Sequence, residues 1–420
     1  MLKNQGRPLG QIETNMALMH ELNGSTQTAS LLSFAGPLSA STLLHAAERL
    51  HWRHPLLHSR IVERAGALHF KCDVSFAQIK VHNHPLLSGQ TPAQMLQHQL
   101  DSVLDPQRQL WRVLLLSTAD RSQHHLLLTC HHAIADAISL TQLLGELLSL
   151  CESQQIGGPS QVQQAPLAAA LETYLTPETA PQPPCENPAP VRFLQSMPLA
   201  RRRTGIRRLL LDSKISSKLK HLAKAQGLTL NSLLAAALLK ASGELALGSQ
   251  IRISTAVSLR QRAATPIDKS AIGCFIGVAN HCLPVTARSL GSIAIDYQRQ
   301  LQASLPHLVK CLPAQELDSM RTRIHSLRSH QSFVHGIALT NHGVIEFPQY
   351  RHFKLLDYAN AASRVAGNFA VALHVTGFAT ALSLCFTFPD PLMDETRIRQ
   401  LQNKLHQALL DFISASEVDQ

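Results

Sequence analysis

The sequence predicts a mixed α/β (α+β) protein of two lobes, and three observations carry that expectation. Short apolar runs suited to buried strands, such as 126–130 (LLLTC) and 111–117 (WRVLLLS), are interleaved with amphipathic stretches of helical period such as 39–52 (SASTLLHAAERLHW). The 420 residues exceed what one hydrophobic core ordinarily serves. Residues 176–190 (TPETAPQPPCENPAP) hold six prolines, which sustain neither helix nor central strand and so divide the chain. The expected organisation is a first lobe over 1–175, a proline- and arginine-rich crossover over 176–205, and a second lobe over 206–420.

Within the first lobe, a helical patch surrounds Met16–Met19 and Ala29–Phe34 reads as a strand. The helix over Ser39–Trp52 turns Leu43, Leu44, Ala47 and Leu50 to one side and is stopped by Pro55. His51, His54 and His58 have the spacing of helical metal ligands, but Pro55 breaks the helix between them, so no metal is expected. Trp111–Ser117, a turn through Thr118–Arg121, and His125–Cys130 make an antiparallel hairpin. After Gly157-Gly158-Pro159 and the crossover, Ile206–Leu211 reads as a strand, with helices over Ser213–Gln226 and Thr229–Ala241 separated by Gly227. Strands follow at Arg252–Leu259, Phe333–Leu339, Phe369–Val375 and Ala381–Phe388, and a closing helix runs from Asp394 to about Ile413.

Chemistry is expected at the exit of the hairpin. The stretch His131-His132-Ala133-Ile134-Ala135-Asp136 lies between the strand and a helix whose Ile138, Leu143, Leu144, Leu147, Leu148 and Cys151 recur at helical spacing. Strand alternation puts His132 in line with Cys130 and His131 with Thr129, so only one of the two faces a given cavity. A neutral imidazole there can act as general base, worth roughly 10²–10⁴-fold in rate. Asp136 is either a second such group or an anchor that caps the helix. The plainer reading is chance. With 23 histidines, about one adjacent pair arises at random, and His124-His125 is a second pair with no visible role. The added Asp four residues on, between strand and helix, brings the chance expectation down to roughly a few per cent.

On these residues, HHAIADAIS resembles the HHxxxD motif of the acyltransferase superfamily of peptide-synthetase condensation domains, plant BAHD enzymes and the alcohol acyltransferases of mycobacterial wax-lipid assembly. Looser similarities cover nearly the whole chain. They are Arg53-His54-Pro55 with Leu57, the run from Lys224 to Asn231 with its following leucines and alanines, Gly273-Cys274-Phe275 with Asn280 and Leu283-Pro284, and Thr340-Asn341-His342-Gly343. Ala137 stands where many members carry Gly after the Asp, Cys274 stands where Asn is frequent, and the DFGWG motif of the plant branch is absent. The similarity is thus to the condensation-like and polyketide-associated branches.

The resemblance implies two chloramphenicol-acetyltransferase-like lobes with mixed sheets and an active-site tunnel between them. It implies acyl transfer from a thioester, on a phosphopantetheinyl carrier protein or coenzyme A, to an alcohol or an amine, with no other cofactor bound. His132 is then the base, beside His131, and Asp136 pairs with an arginine. Arg260, at the end of a second-lobe strand, is the candidate partner, its plainer reading being an exposed charge. Asn341 is a candidate substrate or oxyanion donor, or merely a turn residue. Arg201, Arg202, Arg203, Arg207 and Arg208, five arginines in eight residues, are either a docking patch for an acidic carrier or coenzyme A phosphates, or a solvated linker edge.

Composition narrows the rest. The net charge of +10 and pI near 9.4 favour an acidic partner, yet aromatic residues are only 5% and no nucleic-acid module accompanies the charge. The eight cysteines show no CxxC pair, which suits reduced thiols better than disulfides or zinc. The polar start and the shortness of the apolar runs point to neither a signal peptide nor a transmembrane segment, so a cytoplasmic monomer is expected. A scaffold protein on the same fold would be expected to carry a broken motif. A hydrolase would need a nucleophile elbow or a third spaced ligand, and neither GxSxG nor HExxH is present.

Overall fold

The computed structural model describes residues 6–155, 163–179, 188–245 and 247–418. Gly157-Gly158-Pro159, Cys185 and the prolines between 180 and 187 lie outside the described residues. Two mixed sheets form the two lobes. The first has five strands in the order Lys354–Ala362, Thr28–Ala35, Gln123–Cys130, Trp111–Ser117, Val81–Pro85, all neighbours antiparallel except the last pair. Leucines of Gln123–Cys130 alternate faces as a central strand requires: Leu126 and Leu128 meet helices Ala40–Arg53 and Ala137–Gln155, while Leu127 meets Pro92–Asp101. Ser39 caps the first of these helices by accepting from the Thr42 amide at 3.0 Å.

The second sheet has six strands, in the order Arg203–Leu211, Ala381–Asp390, Val371–Phe378, Ile337–Val344, Gln250–Ser258, Ile276–Pro284. One face is buried under helices Ser213–Ala225, Leu230–Glu244, Leu290–Leu308 and Glu395–Val418, against Ile253, Ile337, Leu339, Leu373 and Val375. The residues of opposite parity, Ser254, Ala338, Thr340 and His374, line a cavity between the lobes. No single helix among the described residues is long and apolar enough to cross a membrane. The bent pair Ser213–Ala225 and Leu230–Glu244 meets that test only jointly, at 103°, and the second helix is largely buried in this core.

Three expectations need correction. The lobes are not consecutive in sequence: Lys354–Ala362 leaves the second lobe to become an edge strand of the first sheet, and Leu317, Met320 and Ile324 of helix Leu317–His325 join the first lobe's core. The crossover is no free linker where it is described, since Thr176–Thr179 pairs with Lys310–Cys311 and Val191–Arg192 with Ser332–Phe333. The single strand expected over 333–339 is two, broken by Gly336 at φ +68, where a Cβ would stand 2.2 Å from the Arg252 carbonyl oxygen.

Candidate active site

The strand Gln123–Cys130 ends one residue before the two histidines, which belong to a loop held from both sides. The His131 amide donates to the Leu110 carbonyl at 2.8 Å, and the Ile134 amide donates back to the His131 carbonyl at 3.0 Å. Loop geometry rather than strand alternation therefore divides the pair. His131 is wholly buried, its Nδ1 accepts from the Ala133 amide at 3.1 Å, and its ring lies 4.4 Å from that of His20. Burial first, then the His20 and His132 rings, hold it well below the ordinary histidine range. A neutral, amide-bound imidazole out of the cavity shapes the loop; the expected catalytic share of His131 is corrected accordingly.

His132 faces the cavity, which has a volume of about 840 Å³. Burial lowers its pKa, and the Arg364 charge lowers it further; hydrogen bonding to its own backbone and to that of Ala135, together with Asp136, opposes the shift. Its Nδ1 lies 3.8 Å from Cys274 Sγ, a buried thiol that burial holds well above its usual range, so the pair is neutral. The Nδ1 edge of the ring therefore lies against Cys274.

Asp136 is occupied. Its Oδ1 accepts from the Ser139 amide at 2.8 Å, capping helix Ala137–Gln155, and its Oδ2 accepts from the Phe275 amide at 3.1 Å. Arg260 reaches both oxygens, at 3.3 and 3.4 Å, while donating to Ser139 Oγ at 2.7 Å and to the Ala271 carbonyl at 2.8 Å. Its guanidinium carbon stands 4.6 Å from the centre of the Phe275 ring. The Asp136 amide and Ser139 Oγ both donate to the Gly273 carbonyl, at 2.9 and 2.8 Å. These bonds tie the motif loop of the first lobe to residues 260–275 of the second. Asp136 is thus an anchor by geometry, with no oxygen left for the reacting centre.

Two other expectations are not met by the geometry. Asn341 is absent from the cavity wall, because alternation sends Thr340 and His342 inward; its Oδ1 accepts from the Gly343 amide at 3.0 Å, as a turn residue does. The arginine run is dispersed. Arg202 is buried, donating to the carbonyls of Met197 and Ala366 at 2.8 and 3.0 Å; Arg207 pairs with Glu395 at 2.8 Å, and Arg208 with Asp357 at 2.7 Å. Only Arg201 and Arg203 of the five are exposed, so a five-arginine patch does not exist. The histidines with metal-like spacing likewise separate: His51 meets the Val74 carbonyl, His54 meets Glu146, and His58 meets the His51 carbonyl. Of the seven described cysteines, all are free, four buried and three half-buried.

The sequence reading missed His342, His374 and Arg364, all on the cavity wall. His342 was legible by alternation from Thr340. Nothing local marks the other two, which reach the cavity through sheet register alone.

The family model for the C-terminus of phthiocerol/phthiodiolone dimycocerosyl transferase matches residues 200–390. No curated protein matches the chain in sequence. Among solved structures, polyketide synthase associated protein 5 from Mycobacterium tuberculosis is 18% identical with a TM-score of 0.71, over 97% of this chain and 98% of that one. The condensation domain of the Monacolin K polyketide synthase MokA is 14% identical with a TM-score of 0.71, over 98% of both chains. The first condensation domain of the calcium-dependent antibiotic synthetase is 16% identical with a TM-score of 0.72, over 97% of both. From end to end the chain has the fold of these condensation domains and of polyketide synthase associated protein 5, and its residues 200–390 match in sequence the C-terminal model of a dimycocerosyl transferase family.

Proposed function

We propose that this protein is an acyltransferase that moves an acyl group from a thioester, carried by an acyl carrier protein or coenzyme A, to a hydroxyl of a lipid, polyketide or other natural-product acceptor. The observation that carries the proposal is His132, a neutral imidazole on the wall of a cavity between the lobes, on a loop locked by Asp136 and Arg260. Nε2 takes the acceptor proton as the acceptor oxygen attacks the thioester carbonyl carbon. The tetrahedral intermediate collapses with loss of the carbon–sulfur bond, and the imidazolium returns its proton to the departing thiolate. A donor seated inside the cavity displaces water that would otherwise hydrolyse it. An amine acceptor would use the same base and give an amide. The family model that residues 200–390 match is named for a transferase of phthiocerol, an alcohol, which favours the hydroxyl reading.

The test is transfer from an acyl thioester to added alcohols and amines, followed against pH. Only neutral His132 can accept the proton, and its pKa is lowered from 6.5, so the acid limb of kcat/KM should fall below pH 6.5, with the rate level from there to neutrality. A limb centred above pH 7 would show a different base.

A further inference from the structure

Beside His132 the cavity holds a polar pole that the proposed transfer step does not use. Arg364 lies on the wall, its Nε has no partner among the described residues, and NH1 reaches only the Ser363 carbonyl, at 3.1 Å. No carboxylate pairs with it among the described residues, and burial brings its pKa down to about 10. His374 joins it, with Nε2 on Thr387 Oγ1 at 3.2 Å; among the described residues its Nδ1 has no partner, nor has either ring nitrogen of His342, whose ring lies 6.1 Å away. The register explains the convergence. Ala362, Thr28 and Cys130 stand in one cross-strand row, and Arg364 and His132 each follow two residues beyond their member of that row. Both leave the same end of the first sheet, two strand spacings or roughly 10 Å apart along the backbone.

We propose that this pole binds a carboxylate, so that one of the two substrates carries a carboxylate on an otherwise apolar skeleton. Arg364 is half-buried with its Nε fully out of solvent, and a guanidinium so placed with no counter-charge among the described residues is costly unless a ligand supplies one; its planar fork matches a carboxylate. The unpaired imidazole nitrogens of His342 and His374 add donors at the same place. Met16, Met19, Leu259 and Val278 give the wall an apolar stretch that fits an alkyl or polyketide chain, while Lys310, Arg323 and Glu172 line other parts of it. This inference rests on the acyl-transfer reading for the word substrate, but not for its test.

The probe is decanoate, compared with decanamide and with inorganic phosphate, in calorimetric titrations of the full chain. Wild type should bind decanoate at least tenfold tighter than decanamide. Arg364→Met should remove that preference and leave decanamide unchanged, and Arg364→Lys should keep part of it. A measurement that needs no variant supports the same point: the carbon-13 signal of carboxyl-labelled decanoate should titrate at lower pH when bound than when free. Equal binding of decanoate and decanamide, uptake of decanoate as the neutral acid, or phosphate displacing decanoate on equal terms would overturn the proposal. So would an Arg364→Met protein that keeps the preference but loses transfer equally with charged and uncharged acceptors, since Arg364 would then act on the oxyanion. His132→Ala, which leaves the pole intact, separates the two readings. Lost transfer without an anion preference sinks this inference alone; an anion preference with undiminished transfer sinks the base assignment alone.

Discussion

Replacing His132 with alanine should lower acyl transfer by roughly 10²–10⁴-fold while leaving the melting temperature nearly unchanged. The side chain faces the cavity rather than the core, so truncating it enlarges existing space instead of opening a void among packed side chains. The neighbouring histidine provides an internal contrast. His131→Ala removes the acceptor of the Ala133 amide from a wholly buried position, so it should cost about 1–3 kcal/mol of stability. Adjacent positions with the same side chain should thus fail in opposite assays, one kinetic and one thermal. Transfer by His132→Ala within a few-fold of wild type would place the base elsewhere, and His342 would be the next candidate.

Breaking the Asp136–Arg260 pair should be the most damaging single change to stability. Asp136→Asn puts an amide NH2 against a buried guanidinium and offers one acceptor oxygen where the Ser139 and Phe275 amides both need one. Removing one member of a buried pair costs about 3–5 kcal/mol, which urea denaturation reads directly as a lowered midpoint. Arg260→Met should cost a comparable amount, because Asp136 would keep its two amide donors but lose its counter-charge. The double substitution should cost less than the two singles added together, since it leaves no isolated charge. Strict additivity would mean that the two residues act independently. Because these bonds join the lobes across the motif loop, activity should fall with stability. A full loss of transfer at an unchanged midpoint would instead make Asp136 a participant in the chemistry.

Much of the scaffold was legible in the sequence, because local chemistry states it. The leucine run of Trp111–Ser117 reads as a strand with no knowledge of its neighbours, and Thr229 announces its helix, accepting from the Ser232 amide at 3.0 Å. The strand Lys354–Ala362 was not legible. Its run KLLDYANAA lacks a long leucine or valine run and ends in small residues, and its partner, Thr28–Ala35, lies near the other end of the chain. The arginine run misled for a related reason. Arg207 and Arg208 are adjacent in sequence but alternate across a strand, one toward Glu395 and the other toward Asp357. In the site itself, the motif histidine and aspartate could be read as a string, whereas Arg364 and His374 meet His132 only once two sheets are registered against each other.

The exchange of Lys354–Ala362 between lobes also orders events on the ribosome. Thr28 Oγ1 donates to the Ala361 carbonyl across 333 positions of sequence, so the first lobe's sheet lacks its edge until most of the chain has been made. Through that interval the strand Thr28–Ala35 presents an unpaired backbone edge flanked by Leu31, Leu32 and Phe34, the kind of surface that recruits a stray strand from another nascent chain. Residues 6–155 produced without the second half should therefore collect in the insoluble fraction and recover solubility when the remainder is supplied in the same cell. The lobe that is translated first cannot close its sheet until Ala362, well inside the second half of the chain, has been made.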